Sequence, residues 1–270
     1  MLFQLPITLV RISGVDSEKF LQGQLTCDVV NLKANTQTLT AHCDAKGKVQ
    51  TIFRLYRQDE QTFYALIHNE LLESSLKDLN KYAIFSKVTF ETLNWQILGW
   101  QPENDIPRPD FPQNFCFNLA DGREIIVCEN AQTDHHFADA ALWKIADMQA
   151  GIPLLSPETQ NEFIPQAMNL QDIENAICFT KGCYIGQEII ARAKYRGINK
   201  RAMYVFHTDK TDCTNGSEIE TLLGENWRKT GTILNHACYQ NTLWLEVILS
   251  NDLEDNQKFK LNSYILTSNI

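Results

Sequence analysis

Short runs of apolar residues, rich in β-branched and aromatic side chains, alternate with turn residues along most of the chain. Such runs are typical of strands. Apolar residues spaced three and four positions apart indicate helices at residues 70–82, 138–150 and 186–196, and Asp16 is a candidate N-cap for a shorter one. We therefore predict an α+β protein. Its predicted strands are residues 7–12, 37–43, 49–57, 62–67, 86–93, 94–100, 115–117, 124–128, 203–207, 231–235, 243–249 and 264–267.

The order of these elements divides the chain. Residues 44–47 (DAKG) predict a hairpin turn between two of the strands, with glycine at a position that needs positive φ. Residues 45–135 combine one helix with several strands, which predicts a helix packed on an antiparallel sheet. From Lys200 onward only strand and turn patterns occur, which predicts a small β-barrel.

Composition and charge narrow the functional class. The chain has 270 residues, 44% of them hydrophobic and 21% charged, which suits two or three soluble domains. Its net charge of -9 argues against a protein that coats nucleic acid by neutralising phosphates, so we expect no direct nucleic-acid binding. The basic residues between Lys181 and Arg201 could form either a local positive pocket or a solvated helix face.

The eight cysteines do not form a recognisable framework. No two are spaced C-x-x-C, and a chain of this size does not need disulfides to fold. Cys178 and Cys183 are spaced C-x4-C, but the C-x2-C of a ferredoxin site is missing, so we expect no bound cluster and no metal site. Residues 1–6 (MLFQLP) lack a basic signal region and no apolar run has membrane-spanning length, so we expect a cytoplasmic protein without a membrane segment.

One thiol has surroundings that suit reactivity. Cys183 lies in residues 180–188 (TKGCYIGQE), two positions after Lys181 and just ahead of the helix predicted from residue 186. A neighbouring ammonium and a helix N-terminus both favour the thiolate form of cysteine. The alternative is a structural cysteine on a loop that enters a helix.

Residues 181–188 (KGCYIGQE) also resemble the K-G-C-Y-x-G-Q-E motif of the YgfZ family, folate-binding proteins related to the glycine-cleavage aminomethyltransferase. Further segments that resemble sequences of this family are residues 14–24, 42–48, 163–170 (FIPQAMNL) and 224–228 (GENWR). The resemblance therefore runs in the expected order from Gly14 to Trp227.

The resemblance implies a three-part, aminomethyltransferase-like architecture. A folate-binding domain would comprise residues 1–44 and 136–198, on either side of an inserted α+β domain at 45–135, and a β-barrel would follow at 199–270. The implied function is to bind tetrahydrofolate, or another folate, and to maintain iron–sulfur enzymes, including those that thiomethylate tRNA. Its implied partners are therefore folate and, transiently, such iron–sulfur proteins, and we expect a monomer.

The resemblance also assigns folate-binding residues. Trp143, ahead of an A-G-x-P sequence, would stack on or border the folate, although its helical spacing also suits a half-buried core position. Gln149 stands where the family often has a glutamate that binds the pterin, and an amide gives up the charge of that carboxylate. Gln166 and Asn169 carry amides suited to the edge of a heteroaromatic ring.

The resemblance also suggests roles for residues of the 181–188 motif and of the helix predicted after it. Cys183 would be the nucleophile or transient ligand, and Lys181 would favour its thiolate form. Tyr184 would stack or donate a hydrogen bond, while Arg192 and Lys194 would supply positive potential for the folate tail or a partner.

Two alternatives remain open at this point, and with them whether the protein is an enzyme. A one-carbon transferase would need a carboxylate poised at the folate nitrogen, and no aspartate matches the family pattern there. A folate-binding module with an inert Cys183 is the other.

Overall fold

A computed structural model describes residues 1–103, 107–110, 112–129, 136–254 and 256–268. Strands dominate the described chain, and the predicted α+β class is confirmed. The helices are α1 (Ser17–Gln24), α2 (Leu72–Ala83), α3 (Ala140–Gln149) and α4 (Gln187–Arg196). The strands are β1 (Leu2–Gln4), β2 (Ile7–Ser13), β3 (Thr36–Cys43), β4 (Val49–Arg57), β5 (Thr62–His68), β6 (Thr89–Leu93), β7 (Gln96–Trp100), β8 (Phe115–Asn118), β9 (Glu124–Cys128), β10 (Arg201–Asp209), β11 (Ile219–Leu223), β12 (Asn226–Thr230), β13 (Thr232–Tyr239), β14 (Thr242–Ser250), β15 (Phe259–Leu261), β16 (Tyr264–Ile265) and β17 (Thr267–Ser268).

The first sheet has five antiparallel strands in the order β3-β4-β5-β2-β6. The strands β3 and β4 form the predicted hairpin, and Gly47 in its turn has a φ of +71°. The domain boundary predicted between residues 44 and 45 falls inside this hairpin. Strands from both sides of it hydrogen-bond in one sheet.

The second sheet, in the order β1-β7-β9-β8, also combines the start of the chain with its middle. Helix α3 packs on this sheet through Trp143, which joins Phe3, Ile97 and Ile125 in one apolar cluster. The boundary predicted at residue 135 lies outside the described residues. The first sheet contributes Leu9 and Leu66 to the same cluster.

The C-terminal strands form two four-stranded sheets, β13-β14-β10-β17 and β12-β11-β15-β16. They enclose their own apolar cluster around Phe206, Leu245 and Phe259, and the predicted barrel is confirmed. The barrel is not separate from the rest of the core. Met203, Leu234 and Ile248 belong to the same cluster as the first sheet and α1; these three residues come from β10, β13 and β14.

In the part of the chain that the structure describes, no helix combines the length and the apolar character needed to cross a bilayer.

Candidate functional site

The loop that carries Cys183 lies against the end of α1. Its backbone is tied there at two points, because Cys178 N–H donates to the carbonyl of Thr26 (2.8 Å) and Ile185 N–H to that of Gly23 (3.1 Å). Between these two anchors the Cys183 side chain is exposed. The thiol is therefore open to solvent on a loop whose two ends are fixed.

Lys181 fixes the same loop from within. Its Nζ is buried and donates to the carbonyls of Gln22, Leu25 and Cys27 at 2.8, 2.5 and 2.6 Å, and it lies 4.5 Å from the centre of the Tyr184 ring. Burial lowers the pKa of Lys181 to about 8, so at neutral pH the ammonium still has one proton for each carbonyl. With all three protons engaged, Lys181 acts as a clamp on the loop. Its effect on the thiol stays a prediction.

Two glycines allow α4 to start where it does. Gly186 caps α4 with a φ of +80°, and a β-carbon added to it would lie 2.7 Å from the carbonyl oxygen of Asp44 and 2.8 Å from the Cα of Gly47. A β-carbon on Gly186 would require a shift of the backbone, and one on Gly47 would lie 3.1 Å from the Cβ of Ile189. Both glycines have positive φ, which L side chains rarely adopt. The two family-like segments at residues 42–48 and 181–188 therefore pack directly on each other.

The other polar residues predicted near the motif serve the scaffold. Tyr184 is 7% exposed, and burial raises the pKa of its hydroxyl. Gln166 is 2% exposed and its Nε2 donates to the carbonyl of Ile190 in α4 (2.7 Å). Asn169 donates to the carbonyl of Met203 (2.8 Å) and accepts from its N–H (3.2 Å), and so joins the barrel to the rest.

Arg192 pairs with Glu188 one helical turn away on α4, at 2.5 Å, as the i, i+4 spacing predicts. Neither Arg192 nor any of the three polar residues above lines one of the five cavities described for this structure. Their predicted contact with a folate stays a prediction.

Trp143, in contrast, stands beside a cavity. The indole is 5% exposed, rests on Gly99, and meets the Phe3 ring edge-on at 5.5 Å. The Arg123 guanidinium lies 4.4 Å from its ring centre. One face of the indole is thus already occupied, and Trp143 can border a ligand more readily than it can sandwich one.

Three cavities adjoin at this position and form what we call the central passage. A cavity of 370 Å³ shares Trp143, Asp147 and Leu154 with a narrow one of 40 Å³. The narrow cavity shares Leu39, Arg54 and Ile152 with a third of 410 Å³. The two larger cavities, of 370 and 410 Å³, have volumes typical of small-molecule sites, while the 40 Å³ cavity between them has room for only a few water molecules.

Asp147, which the sequence analysis missed, is the charged group at the centre of the passage. Its Oδ1 accepts from Arg123 Nη2 at 2.7 Å, while Arg123 also binds Asp121 and the carbonyl of Trp143. Burial raises the pKa of Asp147, against the opposing effect of Arg123 and Arg54. Asp147 follows Trp143 by four residues, so the helical spacing that singled out the indole could also have found the carboxylate on the same face.

Gln149 lies on the other side of α3. It is exposed, and it lines none of the five cavities. Two residues along a helix turn through about 200°, so Asp147 and Gln149 cannot face the same space. The acidic group that enters the passage is therefore two positions before the one that the family pattern indicated.

The passage continues toward the Cys183 loop. A groove of 590 Å³ shares Gln37, Thr38 and Asn175 with the 410 Å³ cavity, and Cys178 and Thr180 line its far end. Cys183 itself is not among the lining residues. The site thus consists of a central passage and, at its outer end, a loop with an exposed thiol.

Comparison with known proteins gives consistent matches over the whole chain. Residues 199–263 match the model of the YgfZ β-barrel domain. An uncharacterized protein of Haemophilus influenzae is 49% identical over 97% of this chain and 93% of its own length. The tRNA-modifying protein YgfZ of Photobacterium profundum is 38% identical over 94% of this chain and 84% of its own length.

Among solved structures, the glycine cleavage system aminomethyltransferase T of Bartonella henselae has the same fold. The TM-score is 0.74 over 99% of this chain and 84% of that one, at 14% sequence identity.

Proposed function

The chain belongs to the YgfZ family, and we propose that it binds a tetrahydrofolate in the central passage and supports tRNA modification through the exposed thiol of Cys183. The finer part of the proposal is that the thiol acts on iron–sulfur proteins, such as the enzymes that thiomethylate tRNA. The observation that supports folate binding is the central passage around Asp147.

The chemistry of the passage fits a pterin. The pyrimidine edge of a pterin presents N–H donors beside a carbonyl acceptor. The Asp147 carboxylate can accept from the donors, and the Arg54 guanidinium, bonded in the described chain only to Gln37 (3.2 Å), can donate to the carbonyl. Trp143 supplies an apolar wall beside both groups.

When bound, a tetrahydrofolate would supply a carrier for one-carbon units. The chain's own residues would hold it and limit its access to water. Leu39, Ile152 and Leu154 line the narrow part of the passage, and the ion pair of Arg123 with Asp147 keeps the carboxylate in place.

The Cys183 loop supports the second half of the proposal. An exposed thiol on a loop fixed by Lys181 can be reached by another protein without rearrangement of the fold. Thiolates are both nucleophiles and metal ligands, which suits action on a cluster or on a cluster protein.

One observation favours a one-carbon transferase as a second candidate. Asp147 places a carboxylate in the passage, and burial raises its pKa toward the range of a general acid or base. The ion pair with Arg123 favours an anchoring role instead. Turnover of a folate that carries a one-carbon unit, such as methylenetetrahydrofolate, to product by the purified protein would decide for the transferase.

The proposed binding is tested by calorimetric titration with tetrahydrofolate. We expect the wild-type chain to bind and Asp147→Asn, which keeps the shape but loses the charge, to bind at least about tenfold more weakly. Asp209→Asn, an exposed change on the barrel, is the matched control. Equal affinities for wild type and Asp147→Asn, with both variants folded by thermal melting, would remove the passage from the proposal.

A further inference from the structure

We infer that the groove beside the Cys183 loop, together with the basic segment 191–201, binds single-stranded RNA directly. This basic groove is defined by the side chains of Lys33, Phe179, Lys194, Tyr195, Arg196 and Lys200. The inference goes beyond the proposed function, because it requires neither a folate nor the thiol.

Charge is strongly segregated at this surface. The chain has 33 acidic and 24 basic residues, yet residues 191–201 contain five Lys or Arg and no Asp or Glu. Arg192 is paired with Glu188. Within the described chain, no carboxylate lies within 4 Å of the charged ends of Lys194, Arg196 or Lys200. An acidic protein thus keeps a local positive surface, which is the footprint of a phosphate-binding site. Of its cations, Lys200 also acts on a carboxylate, because it helps to lower the pKa of Asp252.

Aromatic rings lie among these cations. Tyr195 is 67% exposed, although it sits in the last turn of α4 where it could have packed inward. Its ring is 6.4 Å from that of Phe179, at an angle of 75°, and Lys194 Nζ lies 3.7 Å from the centre of the Phe179 ring. Phe179 is half-buried and packs against the core, so the exposed ring is that of Tyr195. An exposed ring beside cations is the arrangement on which nucleic-acid bases stack.

The groove is large enough for an unstacked nucleotide. Its volume is 590 Å³, and Lys33 lines it together with Lys194. Asn31, Asn175 and Thr180 add amides and a hydroxyl for the edge of a base. One carboxylate, that of Asp28, shares the groove, but it already accepts from Gln22 (3.0 Å) and Asn31 (2.8 Å).

Single-stranded RNA fits this combination better than a duplex does. In a duplex the faces of the bases are stacked on each other, so the exposed ring of Tyr195 would have no base to stack on. The expectation of no direct nucleic-acid binding was based on the net charge of the whole chain. Net charge does not show that basic residues are concentrated in one segment, residues 191–201. RNA in this groove would lie next to Cys178 and Thr180, and hence at the base of the Cys183 loop.

The test measures binding of a labelled ~12-nucleotide single-stranded RNA, and of a duplex of the same length, by fluorescence anisotropy at about 100 mM salt and without folate. The first variant is Lys194→Gln with Arg196→Gln. Its matched control is Lys210→Gln with Lys229→Gln, which removes the same charge from exposed positions on the barrel. The second variant is Tyr195→Ala, whose exposed side chain can be removed without loss of the core, and thermal melting checks the fold of each protein.

We expect the wild type to prefer the single strand and to bind more weakly as salt is raised. The Lys194/Arg196 variant should lose about fivefold or more in affinity and show a shallower salt dependence, while the control stays near wild type. Tyr195→Ala should lose about fivefold or more with its salt dependence unchanged. The inference is overturned by absence of binding, by preference for the duplex, or by an equal loss in the control. Because folate is absent, none of these results bears on the proposed folate site.

Discussion

Gly186 meets Gly47 across two loops that are far apart in the sequence, so closely that a β-carbon on Gly186 would lie 2.8 Å from the Cα of Gly47. One glycine caps the helix behind the Cys183 loop, and the other turns the β3–β4 hairpin. This contact seats the loop on the five-stranded sheet, so the position of the thiol depends on it.

Substitution of Gly186 should therefore be costly. Gly186→Ala would need a left-handed backbone and would collide with the Asp44 carbonyl, so we expect a loss of about 2 kcal/mol or more in the free energy of unfolding. Gly182→Ala in the same motif is the control, since a β-carbon there meets nothing within 4 Å. Denaturant unfolding measures both, and equal stabilities would contradict the tight contact.

Lys181→Met tests the clamp. The variant leaves the carbonyls of Gln22, Leu25 and Cys27 without their donor, and we expect it to lose at least about 3 kcal/mol of stability. Lys19→Met, an exposed change on α1, should be near neutral. The pH midpoint of Cys183 alkylation gives a second readout. An upward shift of that midpoint in Lys181→Met would favour activation of the thiol over clamping.

Cys183→Ala should abolish the support of thiomethylated tRNA and leave the melting temperature unchanged, because the side chain is exposed. The measurement is mass spectrometry of tRNA nucleosides from cells that carry the variant as their only copy. Cys116→Ala, another exposed cysteine, should keep the modification. Normal thiomethylation in Cys183→Ala would refute the role of the thiol.

Glu246 provides a prediction about pH. It is fully buried, with Oε2 accepting from the N–H of Leu154 (2.9 Å), and burial raises its pKa well above the usual value of 4.5. The folded state therefore binds a proton that the unfolded state releases above that pH, so this group makes the wild type less stable as pH rises.

Glu246→Gln removes this dependence. Its stability relative to wild type should increase from about pH 4.5 upward and should differ least below it. Glu225→Gln, an exposed control, should run parallel to wild type. The measurement is the melting temperature of each protein as a function of pH. Parallel curves for Glu246→Gln and wild type would show that the buried acid does not titrate as inferred.

Gln149→Glu should restore the family residue but not tighten folate binding. The side chain lies on the solvent side of α3, where an added charge is screened, so the affinity should stay within ~2-fold of wild type. Calorimetry with tetrahydrofolate is the measurement. A clearly tighter complex would mean that residue 149, and not Asp147, faces the pterin.

The local sequence pattern was sufficient to predict the helices and strands, but not to predict which strands pair with each other. The β3–β4 hairpin, α3 and α4 follow from spacing and turn residues that lie within a few positions of one another. The pairing of β1 with β7 joins residues almost a hundred positions apart, and nothing in either segment specifies the other. For the same reason, a domain boundary placed at residue 44 cut through a sheet.

The same distinction applies to the residues of the site: some have a local sequence signal, and others reach the site only through tertiary packing. Cys183 is exposed and Trp143 stands beside a cavity, as their predicted roles require, and those roles stay predictions. Lys181 was expected to act on its neighbour in sequence, but its ammonium reaches carbonyls more than 150 positions away in the chain. Arg123 and Arg54 carry no local signal, since they reach the passage only through the packing of two sheets.

The barrel shares its core with the first sheet through Met203, Leu234 and Ile248, and Asn169 bonds both backbone groups of Met203. The two regions are consequently one thermodynamic unit: neither can open without exposing apolar surface of the other. Ile190 of α4 belongs to the same cluster, so a substitution at one of these barrel residues should also loosen the helix that follows the Cys183 loop.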